Sequence, residues 1–152
     1  MHLESLHPSV TEGLAGTGAA RGESAKLTAM LASEKIAAFI ATENPAKAKA
    51  FYRDTLGLPS VSEDPFAMTF NANGILLRVT PVQKAVIAPY TVLGWNVNDI
   101  ATVVQSLTGA GVVFERYTFL EQDPLGIWTA PGGAKVAWFK DPDGNTLSVA
   151  QL

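Results

Sequence analysis

The sequence predicts one α+β domain built from two βαβββ halves, preceded by a short N-terminal extension. Three observations carry this. Two runs of the chain repeat the same order of strand, polar cap, helix, glycine stop and three strands. Each helix opens on a short polar residue, Asn44 or Asp99, in equivalent places. The length of 152 residues suits one domain with a full core and is too short for two comfortable ones.

Residues 1–33 stand apart. Gly13, Gly16, Gly18 and Gly22 sit among Ala, Ser and Thr, the composition of flexible sequence. Yet Leu3, Leu6, Val10 and Leu14 recur at near-helical spacing, as do Leu27, Met30 and Leu31. The segment is read either as one or two short helices packed on the domain or a neighbouring chain, or as a tail. Met30 also offers an alternative start.

Residues 34–152 form the domain, with module one over about 34–86 and module two over about 87–152. Lys35 to Thr42 is a strand apolar on both faces, with Ile36, Ala38 and Ile40 on one and Ala37, Phe39 and Ala41 on the other. Asn44-Pro45 starts a helix, because Asn caps free amides and Pro has no N–H to lose in the first turn. The helix runs through Phe51 and Tyr52 to Leu56 and stops at Gly57. Strands follow near Val61, at Phe66 to Phe70 and at Ile75 to Val79, the last two joined by an Asn73-Gly74 turn.

In module two, Tyr90 to Val97 is a strand and Asp99 an N-cap. Ile100, Val103, Val104 and Leu107 trace the apolar stripe of a helix ended by Gly109 and Gly111. Strands are expected at Val113 to Arg116, Lys135 to Lys140 and Thr146 to Gln151, with a short extended stretch around Trp128 inside the irregular segment from Tyr117 to Gly133. Asp141-Pro142-Asp143-Gly144-Asn145 is a tight turn before the last strand.

Composition narrows the partners. Hydrophobic residues make up 47% and charged residues 16%, which reads as soluble and globular. A net charge of -3 with no basic stripe argues against nucleic acid and anionic membranes. With no cysteine, disulfides, Cys-ligated zinc and thiol nucleophiles are excluded. No apolar run approaches membrane-span length, and no basic patch followed by an apolar stretch marks a secretory signal, so a cytoplasmic protein is expected.

Two stretches carry a family resemblance: Asn44 to Leu58 (NPAKAKAFYRDTLGL) and Phe139 to Leu147 (FKDPDGNTL). The first resembles the capped F-Y…L-G helix, and the second the F-x-D-P-D-G-N turn, of the glyoxalase/bleomycin resistance protein/dioxygenase (vicinal oxygen chelate) superfamily. The resemblance implies a cup-shaped mixed sheet made by the paired modules, often completed by homodimerisation. In enzymes of the family it also implies a divalent metal held in the cup by His and Glu, acting as a Lewis acid.

Carried over position by position, that metal site fails. Its ligand positions fall on Ala37, Val92 and Ser148, with the fourth-strand position best matched by Arg78. Two are aliphatic, one is a hydroxyl and one a cation, none a plausible ligand. The histidines are His2 and His7, both in the extension. No metal and no other cofactor is therefore expected.

The remaining cup is a concave apolar site, the default place for a small molecule. Candidate ligand-binding residues are Phe39, Arg78, Tyr90, Asn96, Trp128, Trp138 and Ser148. Alternation places Phe39, Tyr90, Asn96 and Ser148 on the cavity side. Arg78 would receive a carboxylate or phosphate, or else pair with Glu63 or Glu115. Trp128 and Trp138 would stack a flat ligand, or pack in the core or at an interface. Trp95 has the opposite alternation and should lie under the second helix. The segment from Tyr117 to Gly133 is either a lid or an arm to a partner. Asp141 and Asp143 are read as turn residues rather than an acid/base or calcium pair.

These expectations favour metal-independent binding of a small molecule, such as sequestration of a drug or toxic metabolite. A lyase, isomerase or dioxygenase with non-standard ligands stays open as an alternative, as does a non-catalytic interaction domain.

Overall fold

The computed structural model describes residues 30–152; the amphipathic stretch from Leu3 to Leu14, Leu27 and both histidines lie outside them. Met30 and Leu31 begin a turn and are largely exposed. Residues Ala37–Leu152 form one compact unit.

Strand β1 (Ala37–Thr42) runs parallel to β4 (Ile75–Pro81), which pairs antiparallel with β3 (Met68–Ala72), itself antiparallel to β2 (Ser60–Glu63). This is sheet 1, in the order β1-β4-β3-β2. β3 starts two residues later than its apolar run suggests. The Asp64 carboxylate accepts the amides of Phe66 and Ala67 and holds them in a turn. The β3–β4 hairpin closes on Asn73 and Gly74, both at positive φ, a conformation that suits the right-handed twist of the strands.

Between β1 and β2, helix α1 (Pro45–Lys49) begins on the Asn44 carboxamide, which accepts the Lys47 amide. The expected continuous helix to Leu56 is corrected here. From Ala50 to Thr55 the chain widens into a π-helical turn, with the Leu56 amide bonded to the Phe51 carbonyl at 2.9 Å. The widening lets two consecutive rings part company. Tyr52 turns to Phe70 of sheet 1 (6.1 Å between centroids) and Phe51 to Phe139 of the second module (6.4 Å). Tertiary anchoring outweighs regular helix geometry.

The second module repeats the order. β5 (Thr91–Asn96) is parallel to β8 (Thr146–Gln151), followed outward by β7 (Lys135–Lys140) and β6 (Trp128–Thr129). Helix α2 (Ile100–Gly109) is capped by Asp99, whose carboxylate accepts from the Thr102 amide and hydroxyl and is held below the usual carboxylate range by those bonds. The strand expected at Val113–Arg116 is absent as a ladder; only Phe114 bridges to Phe139. The reason is competition for one edge. The free side of β7 takes Phe114 at one end and Trp128–Thr129 at the other, so the chain between them leaves the sheet.

That excursion is pinned rather than loose. The Gln122 carboxamide accepts the Tyr117 amide and donates to the carbonyls of Glu115 and Gly126. The Arg116 guanidinium donates to the carbonyls of Asp123 and Pro124. The Asp123 side chain accepts the amides of Leu125 and Ile127.

The inner faces of both sheets share one core, in which Tyr52, Phe70, Leu77 and Val79 join Ile100, Val104, Phe139 and Leu147. Trp95 packs against this core near α2, as its alternation predicted. A buried polar latch crosses between modules. The Tyr52 hydroxyl donates to Asp141 Oδ2 (2.7 Å), and Asn145 Nδ2 donates to the same oxygen (2.9 Å) and to the Ala41 carbonyl (3.1 Å). The outer faces of the two sheets point away from this core.

Candidate functional site

Along β7, Ala137 and Phe139 are buried, so Trp138 and Lys140 stand on the outer face of sheet 2. Trp138 is the hub of an aromatic group. Trp128 lies 6.1 Å from it at a tilt, Tyr117 meets it edge-on at 5.6 Å, and Phe119 lies 5.4 Å from Tyr117. Trp138, Tyr117 and Phe119 border a half-open cavity of about 400 Å³, closed by Leu120, Pro89 and Tyr90 and carrying Thr91, Lys140 and Thr146 among its polar groups, while Trp128 backs Trp138 from outside the lining. That volume suits a drug-sized ligand. Lys140 Nζ donates to the Thr146 hydroxyl at 3.2 Å. Burial, and next the Glu115 carboxylate, push the Tyr117 phenol up.

Ser148 is the cross-strand neighbour of Trp138. Its hydroxyl leans over Gly94 on the adjacent strand, only 2.6 Å from where a β-carbon at position 94 would stand. Glycine is thus required there for Ser148 to keep its place.

The outer face of sheet 1 is simpler. Arg78 lies over the Phe39 ring at 5.8 Å, a cation–π contact. Its Nε is buried with no hydrogen-bond partner among the described residues. Pairing with Glu63 is not seen, since Glu63 takes Lys49 at 2.6 Å; no described carboxylate forms a salt bridge with Arg78.

Of the residues expected from the sequence, Tyr90 and Trp138 line the cavity, Trp128 and Ser148 are neighbours of Trp138 outside its lining, and Phe39 stands separately with Arg78. The core lies between the two groups. Asn96 is exposed at the far end of β5 from the cavity, roughly 17 Å along the strand from Thr91. The sequence did not mark Tyr117, Phe119, Leu120, Lys140 or Thr146 as site residues. A signal existed for Lys140, which follows Trp138 by two residues and so shares its face.

The positions carried over for a metal, Ala37, Arg78, Val92 and Ser148, all lie on outer faces. Their chemistry does not fit a divalent ion, as one hydroxyl is the sole neutral oxygen donor. Among the described residues no three His, Cys, Asp or Glu side chains gather at one point. Asp141 serves its turn, whereas Asp143 reaches the first module. Asp141 accepts the amides of Asp143 and Asn145, and Asp143 accepts the Glu43 amide. Burial, then Asp141, drives the Tyr52 phenol above its ordinary range, which keeps it a proton donor to the latch.

A family model, the glyoxalase/bleomycin resistance protein/dioxygenase superfamily, matches residues 35–149. The chain belongs to that superfamily. Solved structures of the superfamily agree in fold. A glyoxalase family protein from Enterococcus faecalis is 21% identical with a TM-score of 0.63, covering 80% of this chain and 100% of that one. Lactoylglutathione lyase from Agrobacterium tumefaciens is 19% identical with a TM-score of 0.60, covering 78% and 93%. A bleomycin-binding protein complexed with bleomycin is 16% identical with a TM-score of 0.62, covering 79% and 99%. At these identities they establish the superfamily's fold and nothing finer. No curated protein matches the chain significantly.

Proposed function

We propose that this superfamily member binds a flat, largely apolar small molecule on the outer face of sheet 2 and sequesters it without a metal ion. The observation that carries the reading is the aromatic cavity around Trp138. It is supported by a set of side chains at the ligand positions that could not hold a divalent ion. A structural neighbour that binds bleomycin gives the same use of the fold a precedent.

The protein acts as a homodimer in this reading. Phe39 is 66% exposed, Leu76 44% and Val92 40%, and all three are apolar residues on the outer faces. Each of β1 and β5 pairs on one side only, which leaves free edges for a second copy.

Titration of aromatic drugs and metabolites against tryptophan fluorescence tests the proposal. Saturable quenching that is unchanged by a chelator, and that Trp138→Ala reduces more than tenfold, is expected. Binding that vanishes in chelator and returns with a divalent ion would sink it.

A further inference from the structure

We infer that the molecule bound in the sheet 2 cavity is an aromatic acid whose carboxylate is received by Lys140. This deepens the binding reading above and rests on it. Lys140 is the one charged side chain among those lining the cavity. It is also oriented. Its cross-strand partner Thr146 is buried, and the Thr146 hydroxyl takes one ammonium proton at 3.2 Å, leaving the others to point elsewhere.

No carboxylate among the described residues neutralises this ammonium. The two nearest in sequence are committed elsewhere. Asp141 faces inward to Tyr52 and Asn145, and Asp143 is bonded to the amide of Glu43. Glu115 acts from outside the lining, its charge felt at the Tyr117 hydroxyl. Around Lys140 the walls are Trp138, Tyr117, Phe119 and Leu120, so a charge-assisted bond formed there would be less screened than in open water. Flat rings beside an unneutralised ammonium match a planar ring that ends in a carboxylate.

The test compares 2-naphthoate with its neutral isostere 2-naphthamide, titrated calorimetrically into the full chain at low and high salt. Naphthoate should bind about tenfold tighter at low salt, with the advantage shrinking at high salt. Lys140→Gln should bring the two probes level by weakening naphthoate alone, and Lys140→Arg should keep most of the preference. Lys140 is exposed, so neither variant threatens folding. Equal affinity of both probes for the parent protein, lost in Trp138→Ala, would overturn the role of Lys140 while leaving the aromatic cavity standing. Preference for 2-naphthylmethylammonium would overturn it in favour of Glu115. Binding of none of the three probes would overturn the cavity reading itself.

Discussion

The two sheets have the same strand order and nearly the same inner faces, yet their outer faces have diverged. On sheet 1 the short strand β2 follows its helix closely, and the outer face is left with one ring, one guanidinium and open apolar side chains. On sheet 2 the equivalent strand β6 arrives only after the pinned excursion from Arg116 to Ile127, and that excursion builds an aromatic wall. A duplicated module can thus conserve packing on the side it must bury and specialise on the side it presents. Where the core dictates side chains, the halves agree; where nothing internal dictates them, they differ.

The comparison breaks most severely if the shared inner side is cut. Asp141→Ala strands the Tyr52 hydroxyl and two backbone amides and takes one of the two bonds of Asn145 Nδ2, and should cost about 3 kcal/mol or more. In urea a single transition at a lower midpoint is expected, because both modules share one core. Two separate transitions would mean that the halves are independent. Tyr52→Phe removes one bond to a carboxylate and should cost about 1.5–3 kcal/mol.

Tyr52 also gives the latch a pH signature. Its folded pKa is raised, so the unfolded chain loses the phenolic proton first, above about pH 10. Its contribution is therefore complete below that pH and lost as pH rises further. Parent protein should lose stability faster than Tyr52→Phe on going from pH 9 to 11, followed by denaturant midpoints.

The outer faces are compared by smaller effects. Gly94→Ala pushes against the Ser148 hydroxyl and should cost about 1–3 kcal/mol through strand displacement; Ser148→Ala in the same background should relieve part of it. Phe39→Asp and Trp138→Ala should separate the faces. The first should lower the solution mass measured by sedimentation toward that of one chain, and the second should weaken ligand binding more than tenfold at unchanged mass. At the small end, Asn44→Ala removes the α1 cap and should cost about 1 kcal/mol in thermal unfolding.

Much of this is legible in the sequence. Caps at Asn44 and Asp99, the Asn73-Gly74 hairpin and the Asp-rich turn are local chemistry, and local chemistry is written in short stretches of residues. Alternation correctly separated Phe39 and Ser148 from Trp95. What escaped was geometry decided at a distance. The π-turn at Ala50 depends on Phe139, some ninety residues further on. The failure of Val113–Arg116 to form a ladder depends on a rival for the same edge of β7. Alternation also says which face a side chain takes, but not where along a sheet it sits. Asn96 accordingly shares a face with Ser148 yet stands apart from the cavity, and Phe39 and Arg78 stand on the other sheet.

The excursion that walls the cavity is tied by Gln122, Arg116 and Asp123, and every one of those ties lies outside Thr118, Phe119 and Leu120. Those three residues border the cavity or sit beside it while contributing no side-chain hydrogen bond among the described residues. They can be exchanged with little cost to folding, so selectivity is free to drift there across generations while the scaffold stays constant. A library randomised at these three positions should yield many folded proteins with altered ligand preference.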